Sequence, residues 1–128
     1  MQIDVLTLFP EVFEPFFTHG IVGRALKAGI VRLQCVNFRE FAEDKHNSVD
    51  DRPFGGGPGM VLMCGPVFDA IESLEQDGGA AVRVLLTPQG EPLKQPHVAA
   101  LAQSGRLILV CGHYEGFDER IRAGLGAR

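Results

Sequence analysis

The chain has 128 residues, 45% of them hydrophobic, and a formal net charge of −4. That length suits one domain burying roughly two-thirds of its unfolded surface, and the negative balance argues against a protein that grips nucleic acid through a general basic surface. No apolar run approaches the roughly 18 residues that a bilayer span needs. Asp4 and Glu11 stand where a secretory signal would carry positive charge and an unbroken apolar stretch, so the sequence reads as cytoplasmic, with no membrane partner.

From the N-terminus, Ile3, Val5, Leu6, Leu8 and Phe9 give a strand that Pro10 ends. Val12, Phe13, Phe16 and Phe17 then fall on one helical face, with Pro15 bending or restarting the helix. Gly20 and Gly29 read as helix stops around a short segment that carries Ile21, Ala25 and Leu26 on one side. In residues 30–37, Val31, Leu33 and Cys35 alternate with Arg32 and Gln34, as in a strand with one wet face near a sheet edge.

Residues 38–59 break every period and end in Gly55-Gly56-Gly57-Pro58-Gly59, a loop long enough to be functional or mobile. Val67, Ala70, Ile71 and Leu74 then mark an amphipathic helix over 66–76, closed by Gly78-Gly79. Residues 81–87 read as a buried strand running into the turn Pro88-Gln89-Gly90. Val98, Leu101 and Ala102 mark another helix, with Pro96 in its first turn and Gly105 at its end. Residues 106–111 are an apolar run suited to a central strand buried on both faces. The strand breaks at Gly112 into the polar turn His113-Tyr114-Glu115-Gly116, after which Asp118 and Glu119 open a helix. Strand and helix alternate throughout, so the expected class is α/β, a mainly parallel sheet with helices on both faces. After Asp118 the chain meets two glycines and stops without returning a strand to the sheet, which leads us to expect a truncated chain.

In such sheets ligands bind beyond the carboxyl ends of central strands, which directs attention to the turns at 88–90 and 112–116. Pro88, Gln89 and Gly90 combine a rigid turn, an amide and a backbone that a ligand can approach closely. Glu115 can meet a cation or a hydroxyl, or it can serve as a favourable charge at the start of the following helix. The glycine cluster lacks the Gly-Lys-Ser/Thr of a phosphate-cradling loop and is either a structural turn or a substrate-side loop. Asp50, Asp51, Arg52 and Phe54 just before it suit a polar, planar substrate, and His46 beside them is either a further contact or a solvated loop residue. Between Arg24 and Arg52, six Lys/Arg face five Asp/Glu, whereas the rest of the chain has six against eleven, which permits a local phosphate-contacting surface. Cys35, Cys64 and Cys111 are far apart and without a CxxC pair, so buried thiols are expected rather than a disulfide or zinc site; nothing has metal-ligand spacing.

Taken together, these stretches resemble the bacterial tRNA (guanine-N1)-methyltransferase family of the SPOUT class. The marks are Leu8-Phe9-Pro10-Glu11, Gly23-Arg24-Ala25, the run from Val49 to Met60, Pro88-Gln89-Gly90, and Leu107 to Gly112 with Tyr114-Glu115-Gly116 and Asp118-Glu119-Arg120. The resemblance implies a trefoil-knot domain, an exception to the rule against threaded chains. It implies S-adenosyl-L-methionine as methyl donor, tRNA as substrate and a homodimer whose active site draws on both subunits. On that basis Pro88, Gln89 and Gly90 form one wall of the donor pocket, and Gly112, Tyr114, Glu115 and Gly116 another. Asp50 and Arg52 support catalysis from a substrate loop that includes His46, Gly55, Gly56, Gly57 and Gly59. The family's general base and adenine-side wall are expected beyond Arg128, so residues 1–128 are expected to be the N-terminal part of the domain and inactive alone. A module of a different class, binding a nucleotide or dimerising without catalysis, is the alternative.

Overall fold

The computed structural model describes residues 1–126. A four-stranded sheet is built from β1 (Gln2–Thr7), β2 (Arg32–Asn37), β5 (Val82–Leu86) and β6 (Arg106–Cys111), in the order β2-β1-β6-β5, with every pairing parallel. A separate two-stranded antiparallel ladder joins β3 (Asp50–Asp51) to β4 (Val61–Leu62). The helices are α1 (Glu14–Thr18), α2 (Gly20–Lys27), α3 (Cys64–Gly78), α4 (Gln95–Ala102) and α5 (Glu119–Leu125).

Strand alternation explains the core. Leu6 and Leu8 of the first strand segment, Ile108 and Val110 of β6, and Leu85 of β5 share one sheet face, where they meet Val67, Ala70, Ile71 and Leu74 from the apolar stripe of α3. Phe38, Val49, Leu62, Ile121 and Leu125 complete that layer. Right-handed crossovers fix the other side. The connections β1 to β2 and β5 to β6 step the same way along the sheet, which places α1, α2 and α4 on one face, while the β2 to β5 connection steps back and places α3 on the other. The expected α/β sheet with helices on both faces is the architecture found.

β6 is central, as its unbroken apolar run predicts. β5 is not buried in the same way: it lies at the sheet edge, and Leu86 is 48% exposed. Its composition is that of an interior strand, but among the described residues no strand pairs with its outer side. The apolar face expected at Val12, Phe13, Phe16 and Phe17 also stays outside the core, with Phe16 70% exposed. Pro10 and Pro15 split the segment into a 3-10 turn at Pro10–Val12 and a five-residue helix, too short to carry a continuous buried stripe. Gly20, expected as a helix stop, begins α2, and its φ of +64 makes the reversal between α1 and α2. The loop at 38–59 is partly structured by a 3-10 turn at Phe38–Phe41 and by the β3–β4 ladder.

At the amino end of the sheet, fully buried Asp4 pairs with Arg106. Arg106 Nη2 and Nε donate to Asp4 Oδ2 at 2.8 and 3.0 Å, and the same guanidinium donates to the carbonyls of Leu74 at 2.7 Å and Gly79 at 2.6 Å. Gln34 Nε2 donates to the other Asp4 oxygen at 2.6 Å. A buried charge is tolerable only when its hydrogen-bonding positions are filled in this way, and here they tie three strands to the end of α3.

Candidate active site at the carboxyl edge of the sheet

Register sets the site. Leu86 pairs with Cys111, so β5 and β6 end side by side and their exit turns face the same space. After β5, Gly90 N donates to Thr87 O at 3.1 Å, closing a turn around Pro88 and Gln89. After β6, Gly116 N donates to His113 O at 3.3 Å, closing a turn that holds Tyr114 at φ 56 and Gly116 at φ 123. A left-handed tyrosine is uncommon, and such conformations persist where the surroundings over-determine them. Here His113 supports it: its ring stands edge-on to Tyr114 and to Phe9 at the end of β1, with centroids 4.9 Å apart in both pairs.

A third stretch joins these two. Glu115 N donates to Met60 O at 3.0 Å, Leu62 N to Gly116 O at 2.9 Å and Asp118 N to Leu62 O at 3.0 Å. The end of the glycine loop is therefore stitched to the Glu115 turn by backbone hydrogen bonds. Gly59 lies against the Glu115 side chain, closely enough that a Cβ at Gly59 would overlap Glu115 Cγ. At the foot of the turn, a Cβ on Gly112 would come within 2.8 Å of the Phe117 ring, so this position too has no room for a side chain.

Between the turns lies a cleft of about 230 Å³, lined by Thr87, Pro88, Gln89, Glu115, Gly116 and Asp118 among others. Carboxylates dominate its charge. Asp118 caps α5 by accepting from Arg120 N at 2.9 Å, and the Arg120 guanidinium donates to it at 3.0 and 2.7 Å, which holds the Asp118 carboxyl down at about 2. Asp118, not Glu115, is thus the residue that caps the helix, leaving Glu115 to face the cleft. Arg122, at the rim, is paired with Glu119. A larger depression of about 480 Å³ elsewhere is lined by Glu75 and Arg83, but those two are spent on each other at 2.6 and 2.9 Å. It also collects no exit turn from the sheet, so the smaller cleft is the stronger candidate.

The candidates read from the sequence therefore divide. Pro88, Gln89, Glu115 and Gly116 line the cleft, Gly90 closes its first turn, Gly112 and Tyr114 shape its second, and Gly59 abuts Glu115. Asp50 lies on β3 opposite Leu62, one element away, and Arg52 is exposed on the loop beyond it. Gly55, Gly56 and Gly57, at φ +84, +84 and +119, are exposed. His46 sits on a separate exposed turn organised by Asp44, whose carboxylate accepts from Ser48 N at 2.7 Å and His46 N at 3.3 Å. Sequence reasoning missed Met60 and Leu62 as the pieces that dock the loop. Met60 entered only as the last residue of the Val49–Met60 run, and Leu62 only through the apolar stretch after the glycines. The cysteines are unpaired and partly buried, and burial pushes the Cys35 and Cys111 thiols up. No described helix is long and apolar enough to cross a membrane.

Comparison with known proteins places this geometry. The family model described as "tRNA (Guanine-1)-methyltransferase TrmD" matches residues 1–125. A protein of Synechococcus sp. (strain JA-2-3B'a(2-13)) named tRNA (guanine-N(1)-)-methyltransferase is 54% identical over 128 residues, which cover 100% of this chain and 51% of that protein. The Bacillus subtilis (strain 168) protein of the same name is 52% identical over 123 residues, covering 95% and 51% respectively. The crystal structure of tRNA (m1G37) methyltransferase from Aquifex aeolicus superposes with a TM-score of 0.88 at 36% identity, over 96% of this chain and 56% of that one. The chain thus spans about half the length of the curated relatives it matches.

Proposed function

As a chain that belongs to the tRNA (guanine-N1)-methyltransferase family, this one, we propose, carries the methyl-donor cleft of an enzyme that methylates N1 of the guanosine next to the anticodon in tRNA. The position intended is the G37 for which the Aquifex aeolicus enzyme is named. The observation that carries the reading is the convergence of Pro88–Gly90, Gly112–Gly116 and Gly59 on one cleft with Glu115 in it.

The donor in this reading is S-adenosyl-L-methionine, which supplies a methyl group activated by a sulfonium. The residues present suit it. Glu115 offers a carboxylate that favours a cationic donor over its neutral product, whereas the Asp118 carboxylate beside it is matched by Arg120. Gln89 offers an amide, and the glycine-bearing turns allow close approach to the backbone.

Guanine N1 carries a proton whose removal frees the attacking lone pair and spreads negative charge onto O6. A base and a donor at O6 are therefore required. The base is assigned to the part of the relatives that this chain does not span. Asp50 and Arg52, on the loop docked beside the cleft, are assigned to the RNA side. Residues 1–128 constitute the N-terminal part of the knotted domain, of which residues 127 and 128 lie outside the described region. The apolar exposed surface of α1 and α2, with Phe16 and Ile21 at 70% and 77% exposure, supports assembly as a homodimer.

The test is transfer of a labelled methyl group to tRNA by the protein at the full length of its relatives, beside residues 1–128 alone. The long form should label tRNA and lose that activity when the target guanosine is replaced by adenosine; the short form should not label it. Donor binding without transfer in the long form would overturn the reading in favour of a binding module.

A further inference from the structure

The most exposed large hydrophobic residue of the described chain is Phe54, at 97%. It is not on a slack loop. Gly56 N donates to Pro53 O at 3.1 Å, and Gly55 takes φ +84, which are the closing bond and the positive third-residue φ of a type II turn. In that turn Phe54 occupies the second position. One arm of the turn runs back into the β3–β4 ladder, where Asp51 pairs with Val61. The other runs to Gly59, which sits against Glu115 in the candidate cleft. The five residue steps from Phe54 to Gly59 can span at most about 18 Å. A hydrogen-bonded turn therefore carries a phenyl ring into water within a few nucleotides' reach of the candidate cleft.

Resting on the tRNA-methylation reading above, we propose that Phe54 is a stacking platform for an unpaired base of the RNA substrate, adjacent to the guanosine that enters the cleft. Protein recognition of RNA in loops relies on bases splayed out of the stack and laid on aromatic rings, a contact that requires only a π-face and is tolerant of base identity. The neighbours suit that occupant. Arg52, two residues before, is exposed and its backbone N donates to Asp51 Oδ1 at 2.7 Å, so a cation able to take a phosphate stands in the same short stretch as the ring. Phe54 is a positioning residue, since it holds the neighbour of the reacting base rather than the reacting base itself.

The experiment uses the full-length protein and an anticodon stem-loop with 2-aminopurine at the nucleotide on either side of the target guanosine. Wild type should quench the probe on one side. Phe54→Leu should lose that quenching and raise KM for tRNA roughly ten-fold, with donor affinity and kcat at saturating tRNA unchanged, and Phe54→Trp should restore both. Equal quenching and equal KM in Phe54→Leu would overturn the proposal, as would a change in sedimentation showing that a second copy covers the ring. If wild type transfers no methyl group to tRNA, the underlying functional reading fails instead, and the quenching comparison still decides whether Phe54 stacks a base.

Discussion

The Glu115 side chain occupies the space that a Cβ on Gly59 would need: an added methyl would overlap Glu115 Cγ and lie 3.0 Å from Cδ and Oε1. Two residues far apart in sequence thus depend on each other, one by lacking a side chain and the other by filling the gap. Gly59→Ala should displace the carboxylate from the cleft and strain a backbone at φ +84. Gly57→Ala, at φ +119 with open space around it, carries only the strain. Both should lose about 1–2 kcal/mol of stability in thermal melts, and only Gly59→Ala should also weaken donor binding by calorimetry. Equal donor affinity in the two variants would detach Gly59 from the site.

Glu115→Gln keeps the shape of the side chain and removes its charge. In the full-length protein it should weaken S-adenosyl-L-methionine binding more than binding of the neutral product, because the lost attraction is to the sulfonium. Cys111→Ala, one strand end away and pushed up in pKa by burial, should instead cost about 1–2 kcal/mol of stability and leave donor affinity intact. Unchanged donor affinity in Glu115→Gln would remove Glu115 from the pocket.

Asp118 predicts an acid-side effect with a definite sign. Hydrogen bonds from Arg120 lower its pKa from the ordinary 3.8 to about 2, so the folded state binds this proton less readily than the unfolded state. The stabilisation is full above 3.8 and is lost as pH falls through about 2. Asp118→Asn should flatten the stability profile between those values. Its amide oxygen can still cap α5, whereas Asp118→Ala should lose about 1 kcal/mol at neutral pH as well. Because Arg120 is 71% exposed, the acid-side effect should shrink in high salt. Identical urea-unfolding profiles for wild type and Asp118→Asn from pH 5 to 2 would show that the pair contributes nothing.

The Asp4–Arg106 pair sits at the opposite end of the sheet, and removing one partner leaves the other buried without compensation. Arg106→Leu should therefore cost about 3–5 kcal/mol in denaturant unfolding, whereas replacing both partners by apolar residues should cost much less. Donor affinity of the folded fraction should not change in either variant, since Arg106 begins the strand whose far end carries the cleft.

Hydrophobic periodicity made the α/β alternation legible, and the central place of 106–111 followed from a run with no polar face. Pairing information was not available in the same way. Asp4 reads as an interruption in an apolar strand and Arg106 as its polar start; only the parallel register of β1 and β6 brings them together. The edge position of β5 was equally hidden, because its composition is that of a strand paired on both sides. At the site, one turn announced itself through Pro88 and Gly90 and the other through Gly112, Gly116 and the isolated carboxylate of Glu115. The docking of 59–62 onto 115–118 did not, since backbone hydrogen bonds leave little trace in residue type. Phe54 stood out as an aromatic in a polar loop, but its near-complete exposure and its ordered turn are visible only in three dimensions.

The loop beyond the β3–β4 ladder supplies the sharpest test of the proposed division between donor and RNA roles. Asp50 lies on the ladder and Arg52 just past it, while the contacts that shape the candidate cleft come from Gly59, Met60 and Leu62 further along. Asp50→Ala and Arg52→Ala in the full-length enzyme should therefore reduce tRNA methylation at least ten-fold and leave donor affinity within two-fold of wild type, taking roughly 1.4 kcal/mol as a factor of ten. A loop that only packs on the sheet would behave otherwise, lowering the melting temperature while the folded fraction kept its specific activity. Donor affinity, melting temperature and turnover measured on the same variants decide between the two. A large melting loss with unchanged turnover per folded molecule would make residues 55–59 a structural turn, and the RNA-facing role of Asp50 and Arg52 would have to be given up.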